Sequence, residues 1–237
     1  MDDLKLLHPK VHIVHSDINN IIALYKPCDV LSMPNRNFQI DPKSLLRLPY
    51  DSKERCYIFP KNRKFFLLNR LDAPTSGLLI GCFDEKIAKT IRECFFNQRV
   101  QKTYYALTAY RKISSNGEFC DCLAERREDT HLRVTRGPGK EAITKYFIEK
   151  ELNIGGIPLL KLRLQPVTGR THQLRVQCAL RNLPIIGDKT YGDFSLNKKL
   201  WSLLPQRRLC LQSHAIAFSY DFQNKEYFFS AKIACEF

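Results

Sequence analysis

The chain has 237 residues, 44% of them hydrophobic, enough to bury a real core as one large domain or two small ones, and no window holds the long uncharged apolar run of a membrane helix. Its 38 Lys and Arg outnumber 24 Asp and Glu, for a formal charge of +14. That excess points to a polyanionic partner, because it draws phosphate backbones by counterion release, although the same charge is also what a plain solvated basic surface would show.

The opening MDDLKLLHPK has neither the hydrophobic region nor the cleavage site of a signal peptide, so a cytoplasmic location is expected. His8, His12 and His15 cluster in HPKVHIVH, but with no HExxH pattern or cysteine pair nearby they read as a flexible or strand-forming start rather than a metal site. NIIALYKP (20–27) reads as a strand stopped by Pro27, and 33–63, with its Pro, Asn and Arg, as irregular surface connection. FFLLNRLD is expected to enter a polar turn as one strand and LLIGCF to leave it as the next. In DEKIAKTIRECFFNQ, apolar residues at Ile87, Ala88, Ile91, Cys94 and Phe95 have the spacing of an amphipathic helix, with Asp84 as its N-cap.

RVQKTYYALTAY (99–110) returns as a strand rich in β-formers, and EFCDCLAE and KEAITKYFIEK supply further strands joined by glycine-containing turns such as RGPGK. A strand over 158–167, a tight turn at Thr168-Gly169-Arg170 and a helix over 171–181 capped by Thr171 follow. RLCLQSHAIAFSY and KEYFFSAKI are the last strands. The sum is an α+β fold, a mixed, mostly antiparallel sheet flanked by helices and loops, expected to form a single catalytic domain over 1–237. The nine cysteines are odd in number and lack any CxxC pair, so they read as reduced, mostly buried thiols. Cys120 and Cys122 would share one face of a strand, a spacing that permits a redox or metal role but has no second pair to support it.

The stretch that carries chemistry is NRLDAPTSG (69–77), where a lone carboxylate, Asp72, follows an apolar strand beside a guanidinium. An isolated Asp in a turn is ordinarily a cap or a surface ion pair. Here NRLDAPTSGLLI is followed by RVQKTYYAL, then by LRLQPVTGRTHQLRV and PIIGDKTYG, and in that order these segments resemble the RluA-type RNA pseudouridine synthases. YKPCDVLSMP, GKEAITKYFI and LCLQSHAIAF extend the resemblance over nearly the whole chain. It is most similar to the small members without an appended N-terminal RNA-binding domain, those that modify tRNA first and small rRNA-modifying members close behind.

The resemblance implies a pseudouridine synthase-like fold and an isomerase acting on RNA with no cofactor and no metal; a monomer is the default expectation, and the lack of a long apolar run leads to no expected membrane partner. It makes Asp72 the nucleophile, attacking either the ribose anomeric carbon or the pyrimidine ring. Desolvation would push that carboxyl toward its neutral form, so a fixed cation is needed; the resemblance assigns Arg170, with Arg175 as competitor. Tyr104 in the K-x-Y-x-A frame of Lys102 and Ala106 matches the active-site tyrosine, which would remove the ring proton and stack on the uracil, with Tyr105 as rival on the opposite strand face. Arg70 is expected to project to the same side as Asp72 and hold a flipped nucleotide or its phosphate, unless it forms a structural salt bridge. His172, Gln173, Arg175 and Lys102 are expected at the RNA backbone. Asn69 and Gln177 depart from the family, each standing where a His is usual, which bears on RNA contacts and local hydrogen bonding more than on chemistry.

Other classes fare worse. A metal-dependent nuclease needs clustered carboxylates, and Asp72 has no acidic neighbour in its motif; a methyltransferase needs a glycine-rich GxGxxG loop, and the sequence has none. The remaining alternative is a catalytically silent RNA-binding or RNA-folding protein on the same scaffold.

Overall fold

A computed structural model describes residues 5–36, 39–128, 131–205 and 207–237. The chain divides into two compact units, Met1–Gln101 with Ser213–Ala234, and Lys102–Gln212 with Cys235–Phe237.

In the first unit β1 (His12–Ser16) pairs antiparallel with β2 (Ile22–Lys26). After it come β3 (Tyr50–Asp51), β4 (Cys56–Ile58), β5 (Lys64–Leu67), β6 (Ser76–Cys82) and α1 (Glu85–Phe96). Strands β3 to β6 follow one another in the sheet, and β2 also pairs with β6 along Gly77–Gly81. Every residue of β6 is buried, which is why SGLLIGC reads as a continuous run rather than an alternating one. The expected N-cap is present: the Asp84 carboxylate accepts the Ile87 N–H at 3.0 Å. The apolar stripe of α1, Ile87, Ala88, Ile91 and Cys94, is buried with Leu78, Ile80 and Phe66 from the strands.

The stretch 33–63 is not the surface connection expected. It contains β3 and β4 and buries Leu45, Leu46, Leu48, Tyr50 and Tyr57. Its apolar residues follow neither a helical nor a strand period, because the irregular backbone between them is satisfied by partners such as Leu31, which donates to Lys43 and accepts from Leu45.

The second unit is built on β7 (Gln101–Ala109), β8 (Asn116–Glu128), β9 (His131–Arg136), β10 (Lys140–Ile154) and β11 (Ile157–Pro166), in the order β7-β11-β10-β8-β9 with every neighbour antiparallel. Helix α2 (Gln173–Leu180) lays Leu174 and Cys178 on Ala106, Phe119, Tyr146, Leu160 and Leu162. Helix α3 (Phe194–Leu200), absent from the sequence reading, is capped by Asp193, whose carboxylate accepts the Leu196 N–H. β9 was also not anticipated. The chain ends in β12 (Leu211–Phe222) and β13 (Lys225–Lys232), a hairpin whose two-residue turn, Gln223-Asn224, has φ of 51° and 61° at both positions as a type I′ turn requires.

Helix α2 begins two residues later than expected. Thr171 does not cap it: its hydroxyl donates to the Glu125 carboxylate at 2.6 Å, and His172 occupies the cap position in the left-handed region at φ 52°. All nine cysteines are free, five of them buried, with Cys120 and Cys122 exposed. The histidine cluster is split into packing roles, His12 stacked on Tyr25 and His15 against Phe229. Among the described residues no cluster of His, Cys, Asp or Glu suits a metal ion, and no helix is long and apolar enough to cross a membrane.

Candidate active site

Asp72 sits on a turn whose neighbours on both sides are fastened. Before it, the Asn69 side chain continues the ladder where β5 has ended: Oδ1 accepts the Ile80 N–H at 2.7 Å and Nδ2 donates to the Leu78 carbonyl at 3.3 Å. An amide supplies the donor and acceptor that two strand partners demand, which gives Asn69 a structural reason to stand there. Leu71 is gripped twice by Ser32, which accepts its N–H at 3.0 Å and donates to its carbonyl at 2.8 Å; the Ser32 carbonyl in turn accepts the Tyr57 hydroxyl. The Asp72 carbonyl accepts the Thr75 N–H at 3.0 Å and closes the turn.

After it, the Ala73 carbonyl accepts both the Asp29 N–H at 2.8 Å and the Lys26 ammonium at 3.0 Å. Lys26, fully buried at the end of β2, also donates to the carbonyls of Pro27 and Val30, so its three protons are all placed. Burial lowers its pKa to about 8, against the opposing pull of Cys28, Asp72 and Asp29. Gly77 ends the motif because β12 passes against it: a Cβ there would lie 2.2 Å from the Ser213 carbonyl oxygen, and its φ is 121°. Asp72 itself is half-buried and Arg70 exposed. Since β5 stops at Leu67, the extended-strand argument that put both side chains on one side does not apply to them.

In the second unit the two tyrosines separate as alternation requires. Tyr104, opposite Leu164, packs on the cluster beneath α2, while Tyr105, opposite Arg163, lies under the Lys161 ammonium at 4.8 Å. Lys102, two residues before Tyr104 on β7, donates to the Thr168 carbonyl at 3.3 Å and so ties that strand to the Thr168-Gly169-Arg170 turn. Burial lowers its pKa to about 8. Arg170 is exposed, and its Nε donates to the Glu141 carbonyl at 2.9 Å, which anchors the guanidinium. Lys102 is thus bonded to the turn that carries Arg170, and Tyr104 lies two residues further along the same strand.

Two of the residues expected at RNA are interior instead. Arg175 is 5% exposed and forms a paired contact with Asp188, Nε to Oδ2 and Nη2 to Oδ1 both at 2.8 Å. Although burial pushes the Asp188 carboxyl up, the Arg175 hydrogen bond and charge, with the N–H groups of Thr190 and Tyr191, hold it below its ordinary value. A buried guanidinium so matched has no face to offer RNA, and it is not the competitor of Arg170. Gln173 is 4% exposed, and both ends of its amide are engaged inside the unit. His172 remains at the surface of the turn, its Nδ1 2.9 Å from the Tyr191 hydroxyl, which also accepts the Val134 N–H from β9. Gln177, a buried residue of α2, donates to the carbonyls of Phe119 and Ala142.

The sequence reading did not single out Ser32, Tyr57, Thr144, Asp188 or Tyr191. Each acts through a partner more than ten residues away in the chain, apart from the Asp188 bonds to Thr190 and Tyr191, so no local pattern marks them.

Residues 20–180 match the model of the RNA pseudouridylate synthase family, and the chain belongs to that family. It is 30% identical over 184 residues to ribosomal large subunit pseudouridine synthase C of Rickettsia conorii, covering 77% of this chain and 56% of the relative. It is 32% identical over 204 residues to ribosomal large subunit pseudouridine synthase D of Borreliella burgdorferi, covering 84% of this chain and 60% of the relative. It thus spans little more than half the length of these relatives. tRNA pseudouridine synthase C of Vibrio parahaemolyticus is 28% identical over 185 residues, 71% of this chain and 72% of its own. Among solved structures, human RNA pseudouridylate synthase domain containing 1 superposes with a TM-score of 0.70 at 24% identity, covering 95% of this chain and 83% of its own. That likeness establishes the fold, and the α+β architecture is that of pseudouridine synthase domains.

Proposed function

We propose that this chain isomerises a uridine of a structured RNA, a tRNA or a ribosomal RNA, to pseudouridine. In that reaction the glycosidic N1–C1′ bond breaks, the uracil turns, a C5–C1′ bond forms, the proton on C5 leaves and N1 takes up a proton, so the net change is an isomerisation that needs no oxidant and no second substrate. Asp72 is the nucleophile, Arg170 supplies the permanent positive charge that keeps a carboxylate ionised, and Tyr104 accepts the C5 proton and stacks on the ring. Arg70, Lys102 and His172 contact the RNA, with Arg70 supporting the extruded nucleotide.

The observation that carries the reading is the Asp72 turn itself: a single carboxylate in the NRLDAPTSG motif, held by hydrogen bonds to the residues on either side of it. A turn needed only as a surface connection has no call for a buried lysine and a buried serine to fasten it. The test is Asp72→Asn. Pseudouridine formation in total tRNA and rRNA is expected to fall below detection while the melting temperature and RNA affinity stay near wild type. Full turnover by the variant would refute the nucleophile assignment. An inactive wild type that still binds RNA would favour the silent RNA-binding reading.

A further inference from the structure

Behind the Arg170 turn lies a line of buried polar side chains that the reaction does not use. The Gln173 Oε1 accepts the Arg170 N–H at 2.9 Å and the Thr168 hydroxyl at 2.8 Å. Its Nε2 donates to the Ile143 carbonyl at 3.0 Å and to the Thr144 hydroxyl oxygen at 2.9 Å. Thr144 donates onward to the Gln177 Oε1 at 2.7 Å. The Gln177 Nε2 group meets three acceptors, the carbonyls of Phe119 and Ala142 and the Asp121 carboxylate at 3.1 Å, and Asp121 ends the line in an ion pair with Arg181 at 2.8 Å. Thr144 and Gln177 are wholly buried.

The polarity of this line is set at both ends by groups that cannot reverse. A main-chain N–H at Arg170 requires an acceptor from Gln173, so the NH2 of Gln173 must face Thr144. Main-chain carbonyls and a carboxylate around Gln177 require its NH2, so its oxygen must face Thr144. The hydroxyl between them has one permitted orientation, accepting from Gln173 and donating to Gln177.

We infer that Gln173, Thr144 and Gln177 form a relay of positioning residues that fixes the main chain of Arg170, so that the catalytic guanidinium stands in one place irrespective of substrate. The inference rests on the proposed role of Arg170 in pseudouridine formation. The relay touches neither RNA nor reacting atoms. It acts on kcat through Arg170.

Thr144→Val keeps the side-chain shape and removes the hydroxyl; Thr144→Ser keeps the hydroxyl. The first readout is amide hydrogen exchange of the folded protein. Exchange at the Arg170 N–H is expected to be about tenfold faster in Thr144→Val and restored in Thr144→Ser, with Tyr146 on the same strand unchanged as the check on folding. The second is kinetic: Thr144→Val lowers kcat about tenfold with KM nearly unchanged, Thr144→Ser recovers it, and in an Arg170→Lys background the Thr144→Val loss largely disappears. Unchanged Arg170 exchange, or an equal fractional loss of kcat in both backgrounds, overturns the relay. An altered Arg170 exchange in a protein that makes no pseudouridine in any RNA would uphold the relay as a main-chain support and refute the functional reading instead.

Discussion

Two lysines, Lys26 and Lys102, have pKa values lowered by burial to about 8, yet they are placed for different ends. Lys26 spends its three protons on carbonyls and serves as an internal bracket for the Asp72 turn. Among the described residues Lys102 has one bond, to the Thr168 carbonyl at 3.3 Å, which leaves its ammonium donors for a phosphate. At pH 7 a group titrating near 8 is charged in about ten molecules for each neutral one, and at pH 9 the ratio inverts. Only the charged form attracts a phosphate, so RNA affinity is expected to fall as pH rises from 7 to 9. Lys102→Arg should bind at pH 7 about as wild type does and lose that pH dependence, since a guanidinium stays charged throughout. Fluorescence anisotropy with a labelled tRNA at the two pH values checks this, and an identical pH dependence in wild type and variant would remove Lys102 from the RNA contact.

At the scale of elements, the turn that carries Asp72 is held by segments distant in sequence. Ser32 lies 39 residues from Leu71 and satisfies both of its main-chain groups. Ser32→Ala leaves a buried N–H and a buried carbonyl without that partner, at a cost of about 1–3 kcal/mol. Chemical denaturation is expected to show that loss, and kcat should fall with it because the turn before Asp72, the proposed nucleophile, loosens. A variant as stable and as active as wild type would show that the clamp is idle. The adjoining elements were read from the sequence with unequal success. The α1 stripe and its Asp84 cap were legible because both are local, an i, i+3, i+4 spacing and one carboxylate three residues from the N–H it accepts. The start of α2 was not. Thr171 has the right side chain for a cap, but Glu125 on β8 takes its hydroxyl and His172 adopts a left-handed conformation in its place. The core of 33–63 was missed for the same kind of reason, since Leu45 and Tyr57 are buried by tertiary packing with no periodicity to announce it.

For the molecule as a whole, the formal charge of +14 bears on the proposed capture of RNA. If it meets RNA through phosphates, the logarithm of the binding constant falls linearly with the logarithm of salt concentration, by about 0.7 to 0.9 per phosphate contact. A titration between 50 and 200 mM salt is therefore expected to lose on the order of tenfold or more in affinity, and Arg70→Ala should flatten the slope by about one contact. A binding constant indifferent to salt would contradict an electrostatic mode of RNA capture.

Taken at that same scale, the sequence by itself determined the family, the α+β class, the basic net charge and the position of the carboxylate turn. These rest on residue identity in short ordered motifs and on net charge, which need no coordinates to be read. Tertiary structure alone decided which of the flagged polar residues face outward. Arg170 and Arg175 stand five positions apart in one motif and look alike in sequence, yet one is exposed beside Glu141 and the other is closed on Asp188. The difference arises from where a buried carboxylate lies. Arg175 goes to the interior because a matched carboxylate, Asp188, meets it there, and no local pattern in the sequence marks that pairing.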